Sequence, residues 1–344
     1  MPTAIPFVRD LDVRYGEVDP VSPLVRRVVA NNPNPFTYLG TGTYLIGRGE
    51  VAVLDPGPDD PAHVAALLAA LEPGERITHL VVTHTHGDHS PAARPLQELT
   101  GAPTYGYGPH GAGPTELDET DRVVFGDPEA DGELDADAGA DAGADTGRDA
   151  RTDGAAKPEP REGVDHDFSP DVVLRDGDVV EGDGWTLEAV HTPGHASNHL
   201  CYLLREEGTL CTGDHVMGWS TSVIGPPDGH LGDYLASLEK LLDRPQDQRY
   251  LPTHGPVVTE PHVLVRAFLA HRRERTEQLL DALAAGPATL AEIVPRLYAD
   301  VSKKLWRGAA SSMYAHALHL HELGEVEVEG GGPLRRTSRL RRRR

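Results

Sequence analysis

The 344-residue sequence has little cysteine, little positive charge and no long apolar run. Its two cysteines, Cys201 and Cys211, form no Cys-x-x-Cys pair, which argues against a disulfide framework and fits a reducing compartment. Residues 1–15 lack an apolar segment behind a basic start, so we expect no signal peptide. No apolar run approaches the length that spans a bilayer. The chain is therefore expected to be soluble and cytoplasmic, with no membrane partner.

The formal net charge of −22 argues against a generic nucleic-acid-binding surface. This charge is unevenly distributed. Residues 126–167 are rich in Asp, Ala and Gly and poor in β-branched and aromatic residues, so they are predicted to form a disordered acidic insertion. Residues 331–344 end the chain as a basic tail, which is predicted to be a disordered, solvated terminus.

Apolar runs and turn residues predict alternating strands and helices up to residue 260. The predicted strands include residues 37–46, 51–54, 77–82, 102–107, 185–190, 199–204 and 208–211. The predicted helices cover residues 61–71, 90–99 and 232–242, the second with Ser90 as its N-cap. This order suits two sheets packed face to face with helices outside. We interpret residues 1–260 as one catalytic domain.

Residues 261–330 change in character and are predicted to be mainly helical. Helices over residues 263–284, 290–298 and 307–323 precede a short strand at residues 325–328. Three helices and a β-wing are typical of a winged-helix module. His316, His319 and His321 share the last helix, and we interpret them as ordinary helix residues because no carboxylate or cysteine partner is expected to converge on them.

The densest group of metal-binding side chains follows the strand predicted at residues 77–82. It is the run Thr83-His84-Thr85-His86-Gly87-Asp88-His89. Side chains two apart in an extended chain point to the same face, so His84 and His86 can reach one metal ion. A turn at Gly87 carries Asp88 and His89 round to a second ion. The run therefore predicts a metal site at the carboxyl end of a strand, the edge where α/β sheets present their chemistry.

Further metal-binding side chains occur where other predicted strands end. They are His195, Asp214 and His254, each in a glycine-containing turn. Sorted by position, one metal group consists of His84, His86 and His195, and the other consists of Asp88, His89 and His254. Asp214 can bridge the two groups with one carboxylate. Two cations about 3.5–4 Å apart form the two-metal arrangement for hydrolysis. Mixed His and Asp ligands favour two Zn²⁺ ions, with Mn²⁺ or Fe²⁺ compatible.

Other polar residues near these turns are interpreted as supporting groups. Asp55 ends a predicted strand and is expected to be a buried hydrogen-bonding support rather than a ligand. Three histidines that flank the ligands are expected to be structural or to support ligands, namely His191, His199 and His215. Residues 219–222 follow Asp214 closely and are expected to line the pocket wall. Cys211 is expected to lie in the core.

These motifs together resemble those of the metallo-β-lactamase superfamily. They are His-x-His-x-Asp-His at residues 84–89, Thr-Pro-Gly-His at 192–195, Gly-Asp at 213–214 and His-Gly at 254–255. The resemblance implies an α+β fold, a four-layer αββα sandwich with a dinuclear site. Closer similarity to the endoribonuclease β-lactamase-like protein 2 group and its bacterial relatives rests on residues 40–45, 54–57 and 192–199 and on the appended winged-helix-like domain. Thr253 stands where that group has glycine, and the acidic insertion is extra.

Other branches of the superfamily fit the sequence less well. The main zinc β-lactamases use cysteine where this chain has Asp214. Ribonucleases with a β-CASP insert carry a long domain between the Gly-Asp motif and the final histidine, and the segment from Asp214 to His254 is too short for it. The C-terminal segment with which glyoxalase II binds glutathione is not recognisable here.

The predicted activity is metal-dependent hydrolysis, in which a metal-bridging hydroxide attacks the substrate and Asp88 both ligates and orients it. The resemblance implies cleavage of phosphodiester bonds in single-stranded RNA, and the alternative is hydrolysis of small thioesters, esters or lactones. The winged helix and the basic tail could hold an RNA backbone. Against RNA stand the acidic net charge and the lack of clustered aromatic residues for base stacking.

A third reading is that the winged helix binds DNA and the metal domain is vestigial, which conflicts with a complete ligand set. The substrate is therefore expected to be a small molecule or single-stranded RNA. No obligate protein partner is evident from the sequence, and a homodimer stays open.

Overall fold

The computed structural model describes residues 4–111, 163–299 and 306–343. Its largest sheet has seven strands whose spatial order follows the chain. They are β1 (Val18–Pro20), β2 (Val25–Val29), β3 (Gly42–Ile46), β4 (Glu50–Leu54), β5 (Arg76–Val81), β6 (Thr104–Gly106) and β7 (Val172–Val173). Pairs from β1 to β4 are antiparallel and pairs from β4 to β7 are parallel. Strand β3 is shorter than the strand predicted at residues 37–46, because residues 35–39 form turns instead.

The second sheet has five strands in the order β12-β11-β10-β9-β8. They are β8 (Val179–Gly182), β9 (Trp185–His191), β10 (Leu200–Leu204), β11 (Thr209–Gly213) and β12 (Arg249–Pro252). The pair β11–β12 is parallel and the other pairs are antiparallel. A 3-10 turn at Arg205–Glu207 joins β10 to β11.

The two sheets pack against each other through an apolar layer. Because successive residues of a strand face opposite sides, β3 sends Tyr44 and Ile46 into this layer and Leu45 to the other face. Leu187 and Tyr202 enter the same layer from the second sheet. These side chains are fully buried, so the layer is a continuous core between the sheets.

Helices cover the outer faces of both sheets. Helices α1 (Pro61–Ala69) and α2 (Ala93–Thr100) bury Leu67 and Leu96 against the outer face of the first sheet. Helix α3 (Leu231–Leu242) buries Leu238 against the second sheet. The layers therefore run helix, sheet, sheet, helix, which confirms the predicted αββα sandwich.

The N-termini of two of these helices are set by local chemistry. Helix α1 has Pro61 at its first position, and the Asp60 side chain accepts a hydrogen bond from the Ala62 amide at 2.9 Å. Helix α2 begins at Ala93, so the prediction of Ser90 as its N-cap is wrong. Ser90 Oγ instead donates to the Asp165 carboxylate at 2.7 Å, and this contact holds it outside the helix.

The C-terminal region forms the predicted winged-helix module. Its elements are α4 (Pro261–Ala284), β13 (Ala288–Thr289), α5 (Leu290–Leu297), α6 (Trp306–Glu322), β14 (Val326–Val328) and β15 (Arg339–Arg342). A capping box between Thr289 and Glu292 begins α5. Helix α4 belongs to two cores, because Phe268 packs with the second sheet and Leu283 packs inside the C-terminal module.

The prediction of a disordered basic tail is wrong for its second half. Residues 339–342 form β15, the central strand of a three-stranded sheet in the order β13-β15-β14. The fully buried Leu340 anchors this strand in the module's core. Alternation of an apolar residue between arginines suffices for a half-buried strand once two neighbours are available to pair with it.

The last part of the predicted acidic insertion also has defined structure. Residues 112–162 lie outside the described residues, whereas residues 163–167 run along the histidine-rich loop. Gly87 donates its amide to the Gly163 carbonyl at 2.6 Å, and Asp165 donates its amide to the Thr85 carbonyl at 2.8 Å. Residues at the end of the predicted insertion therefore support the histidine-rich loop through backbone hydrogen bonds. Across the described ranges, the helices are all too short or too polar to span a membrane.

Replacing Trp185 with alanine tests how much this side chain contributes to the packing of the two sheets. Trp185 is fully buried and its Nε1 donates to the Glu50 carbonyl at 2.8 Å. We expect Trp185→Ala to lower the free energy of unfolding by about 3–5 kcal/mol, measured by urea denaturation, because it leaves a cavity. The control Val179→Ala, at an exposed position on β8, should change it by less than about 0.5 kcal/mol. Equal losses in both variants would contradict this account.

Candidate metal centre

The seven side chains predicted as metal ligands meet at one end of the sandwich. Each lies in a loop that directly follows a strand: β5 for the histidine-rich run, β9 for His195, β11 for Asp214 and β12 for His254. The sheets are joined at this end, since Leu200 at the start of β10 donates its amide to the Thr83 carbonyl at 2.8 Å. The loops that contain the ligands therefore follow strands of two sheets that are hydrogen-bonded to each other at this end.

Three imidazoles form the first group. His86 Nδ1 lies 3.0 Å from His84 Nε2 and 3.1 Å from His195 Nε2. Nitrogen atoms bound tetrahedrally to zinc at 2.0–2.1 Å are themselves about 3.3 Å apart. The three nitrogens are therefore already spaced as they would be around one ion.

A second group adjoins the first. His254 Nε2 lies 3.0 Å from Asp88 Oδ2, and His89 Nε2 lies 3.6 Å from the same oxygen. Asp214 stands between the groups, with Oδ1 3.4 Å from His254 Nε2 and Oδ2 3.8 Å from His195 Nε2. One carboxylate thus presents a separate oxygen to each group, which is the arrangement of a bridging ligand.

The residues present fit a pair of cations. Within the described part of the chain, His89 Nε2 and Asp214 Oδ1 are buried and have no hydrogen-bond partner. A buried polar atom left unpaired costs about 1–3 kcal/mol, so both atoms are expected to contact a group that is bound there. Imidazole nitrogen and carboxylate oxygen are the donor types that zinc and related ions accept.

The electrostatics of the pocket agree with this fit. Burial and, to a smaller extent, neighbouring histidines lower the pKa of His84 and His86, for His86 to about 3, so both rings are neutral and have a free lone pair. Burial opposes charge on His89, but the carboxylates of Asp88, Asp214 and Asp55 raise its pKa well above the usual value. The carboxylates thus attract positive charge to the second group.

The histidines of the centre are oriented from behind by fixed acceptors. The Nδ1 atom of His89 bonds the Asp55 carboxylate at 2.9 Å, that of His195 bonds the Val223 carbonyl at 2.6 Å, and that of His254 bonds the Gly40 carbonyl at 3.2 Å. Such partners set the tautomer and the ring orientation of metal-binding histidines. In each case Nε2 is left to face the pocket.

Asp55 has the supporting role predicted for it. Its carboxylate accepts four hydrogen bonds, from the Thr83 amide at 2.8 Å, the Thr83 hydroxyl at 2.9 Å, the Thr253 hydroxyl at 2.7 Å and His89. Its backbone takes a φ of 49°, which turns the chain sharply at the end of β4. Thr253 therefore ties the His254 turn to the same carboxylate, a contact that glycine at that position could not make.

The flanking histidines are structural. His199 Nδ1 bonds Thr192 Oγ1 at 2.9 Å and its Nε2 accepts the Asp214 amide at 3.3 Å. His215 packs against the ring of Tyr234. His191 stacks on Tyr107 with ring centroids 4.3 Å apart. None of the three is in the groups described above, as predicted.

Two further features of the pocket were not predicted. Tyr38 takes a left-handed φ of 58° and stacks on Trp219 at 4.8 Å between ring centroids. Trp219 packs against Gly255, where an added Cβ would lie 2.9 Å from the indole ring, so the aromatic pair stands beside His254. Residues 219–222 were expected at the wall, but no local signal places Tyr38 there, because its turn is held by tertiary contacts.

The second feature is a buried guanidinium from the winged-helix module. Arg272 of α4 donates to the Ser222 carbonyl and, at 3.0 Å, to Ser312 Oγ of α6. Ser222 Oγ in turn donates to the Asp214 carbonyl at 2.6 Å. The module therefore supports the loop that follows Asp214, a link between residues far apart in sequence that no local motif indicates.

An αββα sandwich with adjoining His and Asp groups at one end is the architecture of a two-metal hydrolase. The family model for the metallo-beta-lactamase superfamily matches residues 38–254, and the chain belongs to that superfamily. The model for the beta-lactamase associated winged helix domain matches residues 289–334. The protein is accordingly a metal-dependent hydrolase, and its His and Asp clusters indicate a dinuclear site.

Known proteins similar to this chain agree with that assignment. A beta-lactamase-like protein 2 homolog of Drosophila melanogaster is 29% identical over 88% of this chain and 90% of its own length. An atrochrysone carboxyl ACP thioesterase of Claviceps purpurea is 27% identical over 91% of this chain and 84% of its own length. The crystal structure of a metallo-beta-lactamase family protein from Thermus thermophilus covers 94% of this chain and all of its own, with 24% identity and a TM-score of 0.68.

Substitution of Asp55 tests its role behind the centre. Asp55→Asn keeps the volume but removes the charge that orients His89, so we expect metal affinity to fall about 10–100-fold, measured by competition with a chelator. Asp176→Asn is the matched control, because that carboxylate pairs with Lys240 at 2.5 Å, away from the ligands. Wild-type affinity in Asp55→Asn would show that the support is dispensable.

Proposed function

We propose that the protein holds two divalent cations, with zinc favoured by the donor set, and hydrolyses a thioester. His84, His86 and His195 would hold one ion, Asp88, His89 and His254 the other, with Asp214 shared. Bound cations of this kind lower the pKa of water and polarise a carbonyl oxygen. Of the two centre carboxylates, Asp88 is the more exposed, so it is positioned to accept a hydrogen bond from the attacking water.

The choice of a thioester rests on two aromatic side chains beside the centre, Tyr38 and Trp219, which we call the aromatic wall. The rings of Tyr38 and Trp219 are stacked and nearly parallel, with 15° between their planes. A stacked aromatic pair next to His254 offers apolar contact area to an acyl chain or ring, at low cost in conformational entropy because the pair is already ordered. The similar protein of Claviceps purpurea is an atrochrysone carboxyl ACP thioesterase, which supports the same substrate class.

Cleavage of single-stranded RNA is the second candidate, favoured by the winged helix and its arginine-rich last strand. Two arginines of that strand, however, are paired with glutamates. Arg341 of β15 pairs with Glu327 at 2.9 Å, and Arg339 lies 3.2 Å from Glu292 and 3.4 Å from Glu329. Arginines paired in this way release fewer counterions from a phosphate backbone. The protein also has a net charge of −22, which disfavours binding of RNA. A thioester is therefore the first candidate.

A side-by-side activity screen separates the candidates. Zinc-loaded protein is incubated with short-chain and aromatic acyl thioesters of coenzyme A and pantetheine, with lactones, and with single-stranded RNA oligonucleotides. We expect release of free thiol, and a loss of at least about 100-fold in kcat/KM in His86→Ala together with a reduced metal content. Cleaved RNA with intact thioesters would reverse the preference, and undiminished hydrolysis in His86→Ala would contradict the metal mechanism.

Trp219→Ala tests the aromatic wall. Loss of one aromatic contact with the bound acyl group removes about 0.5–1.5 kcal/mol of binding energy, so KM for an aromatic thioester should rise about 2–12-fold with a smaller change in kcat. Trp219→Phe is the control, because it retains an aromatic ring on the pocket side, and it should stay close to wild type. Unchanged KM in Trp219→Ala would exclude the pair from substrate binding.

A further inference from the structure

A second group of metal-binding side chains lies where α3 meets α6, apart from the centre described above. His230, which caps the N-terminus of α3, places Nε2 2.9 Å from Glu322 Oε2. His319 of α6 places Nδ1 3.9 Å from the same oxygen. One nitrogen of each histidine and one carboxylate oxygen all lie within 4.8 Å of one another.

We propose that His230, His319 and Glu322 form an additional binding site for a divalent transition-metal ion, which joins the catalytic domain to the winged-helix module. Two imidazoles and a carboxylate are the ligand types of zinc, nickel and copper, whereas calcium and magnesium prefer oxygen alone. Three protein ligands leave a further position for water, and the partial exposure of the cluster gives solvent access to it.

The arrangement behind His230 is that of a metal-binding histidine. Asp233 Oδ2 lies 3.0 Å from His230 Nδ1, so the ring has a carboxylate on one nitrogen and the proposed ion on the other. Without an ion, Nδ1 accepts the Asp233 amide at 3.2 Å as a helix cap. Binding of an ion at Nε2 places the proton on Nδ1, where the Asp233 carboxylate accepts it.

Residues of α3 and α6 allow His230 and His319 to come close to each other. His319 and Glu322 are three residues apart on α6, which puts them on one helix face. Histidine and glutamate at this spacing form metal sites between helices of bundles. On the facing helix, Gly232 has no side chain, and a Cβ there would lie 3.0 Å from both His319 Nδ1 and His230 Cε1. Glycine at this position is thus what lets the imidazoles come together.

The proposed site is also linked by a hydrogen bond to a loop of the main metal centre. The His230 amide donates to the Gly194 carbonyl at 2.8 Å, one residue before His195. Burial lowers the pKa of His319, which leaves its ring neutral and able to bind an ion. An ion here would therefore fasten α6 to the turn that carries His195. The proposal departs from the interpretation of His319 as an ordinary helix residue, because His230 approaches it from another domain.

Metal stoichiometry tests the proposal. Full-length protein, wild type or variant, is dialysed against buffered free zinc, and zinc per chain is measured by mass spectrometry. We expect His319→Ala to bind one ion fewer per chain than wild type at saturation. His321→Ala is the matched control, since His321 is on the same helix but bonds the Val326 carbonyl at 2.9 Å, and it should keep the full content.

A second variant covers the case in which His319→Ala does not fold. Glu322→Gln changes an exposed side chain and should weaken binding of the extra ion at least tenfold, with thiol release by the main centre unchanged. The alternative occupant is a proton, with His230 held as an ion pair between Asp233 and Glu322. Equal zinc content in wild type, His319→Ala and Glu322→Gln would overturn the proposal in favour of that ion pair.

Discussion

The buried carboxylate of Asp55 is the contact on which the centre depends. Asp55 directly follows β4 of the first sheet. Its carboxylate accepts hydrogen bonds from Thr83 after β5, from Thr253 after β12 of the second sheet, and from His89. One charge thus fixes two loops from two sheets relative to a ligand. Removing it would leave several buried donors unpaired at once, which is why its effect on metal affinity should exceed that of an ordinary surface carboxylate.

The remaining supports follow the same principle, in which loops that carry ligands are held by groups from distant parts of the chain. Residues 163–165 brace the histidine-rich loop, and Arg272 of the winged-helix module holds the loop after Asp214. The appended module is therefore structurally part of the catalytic unit. Arg339 and Arg341 of β15 are paired with glutamates and therefore contribute less positive surface than the sequence suggests. This pairing is one reason why we propose a thioester rather than an RNA as the substrate.

The sequence allowed the sandwich, the winged helix and the seven side chains of the centre to be predicted, because the ligands follow apolar strands in glycine-containing turns. It did not allow β15 to be predicted, since alternating arginines resemble a solvated tail until neighbouring strands pair with them. Nor could it reveal Tyr38, whose φ of 58° is imposed by its surroundings. Nor could it reveal that His230 lies close to Glu322 and His319, because these residues are far apart in the sequence.

By itself the sequence determined which atoms are available at the centre and at which strand ends they stand, since strand periodicity and turn residues are local properties. Only the tertiary structure decided which of these atoms meet. Asp214 faces both groups, and Thr253 reaches Asp55, because two sheets packed face to face bring their loops to one end. Contacts of this kind depend on how buried layers pack against each other, and that packing is a property of the whole chain rather than of any segment.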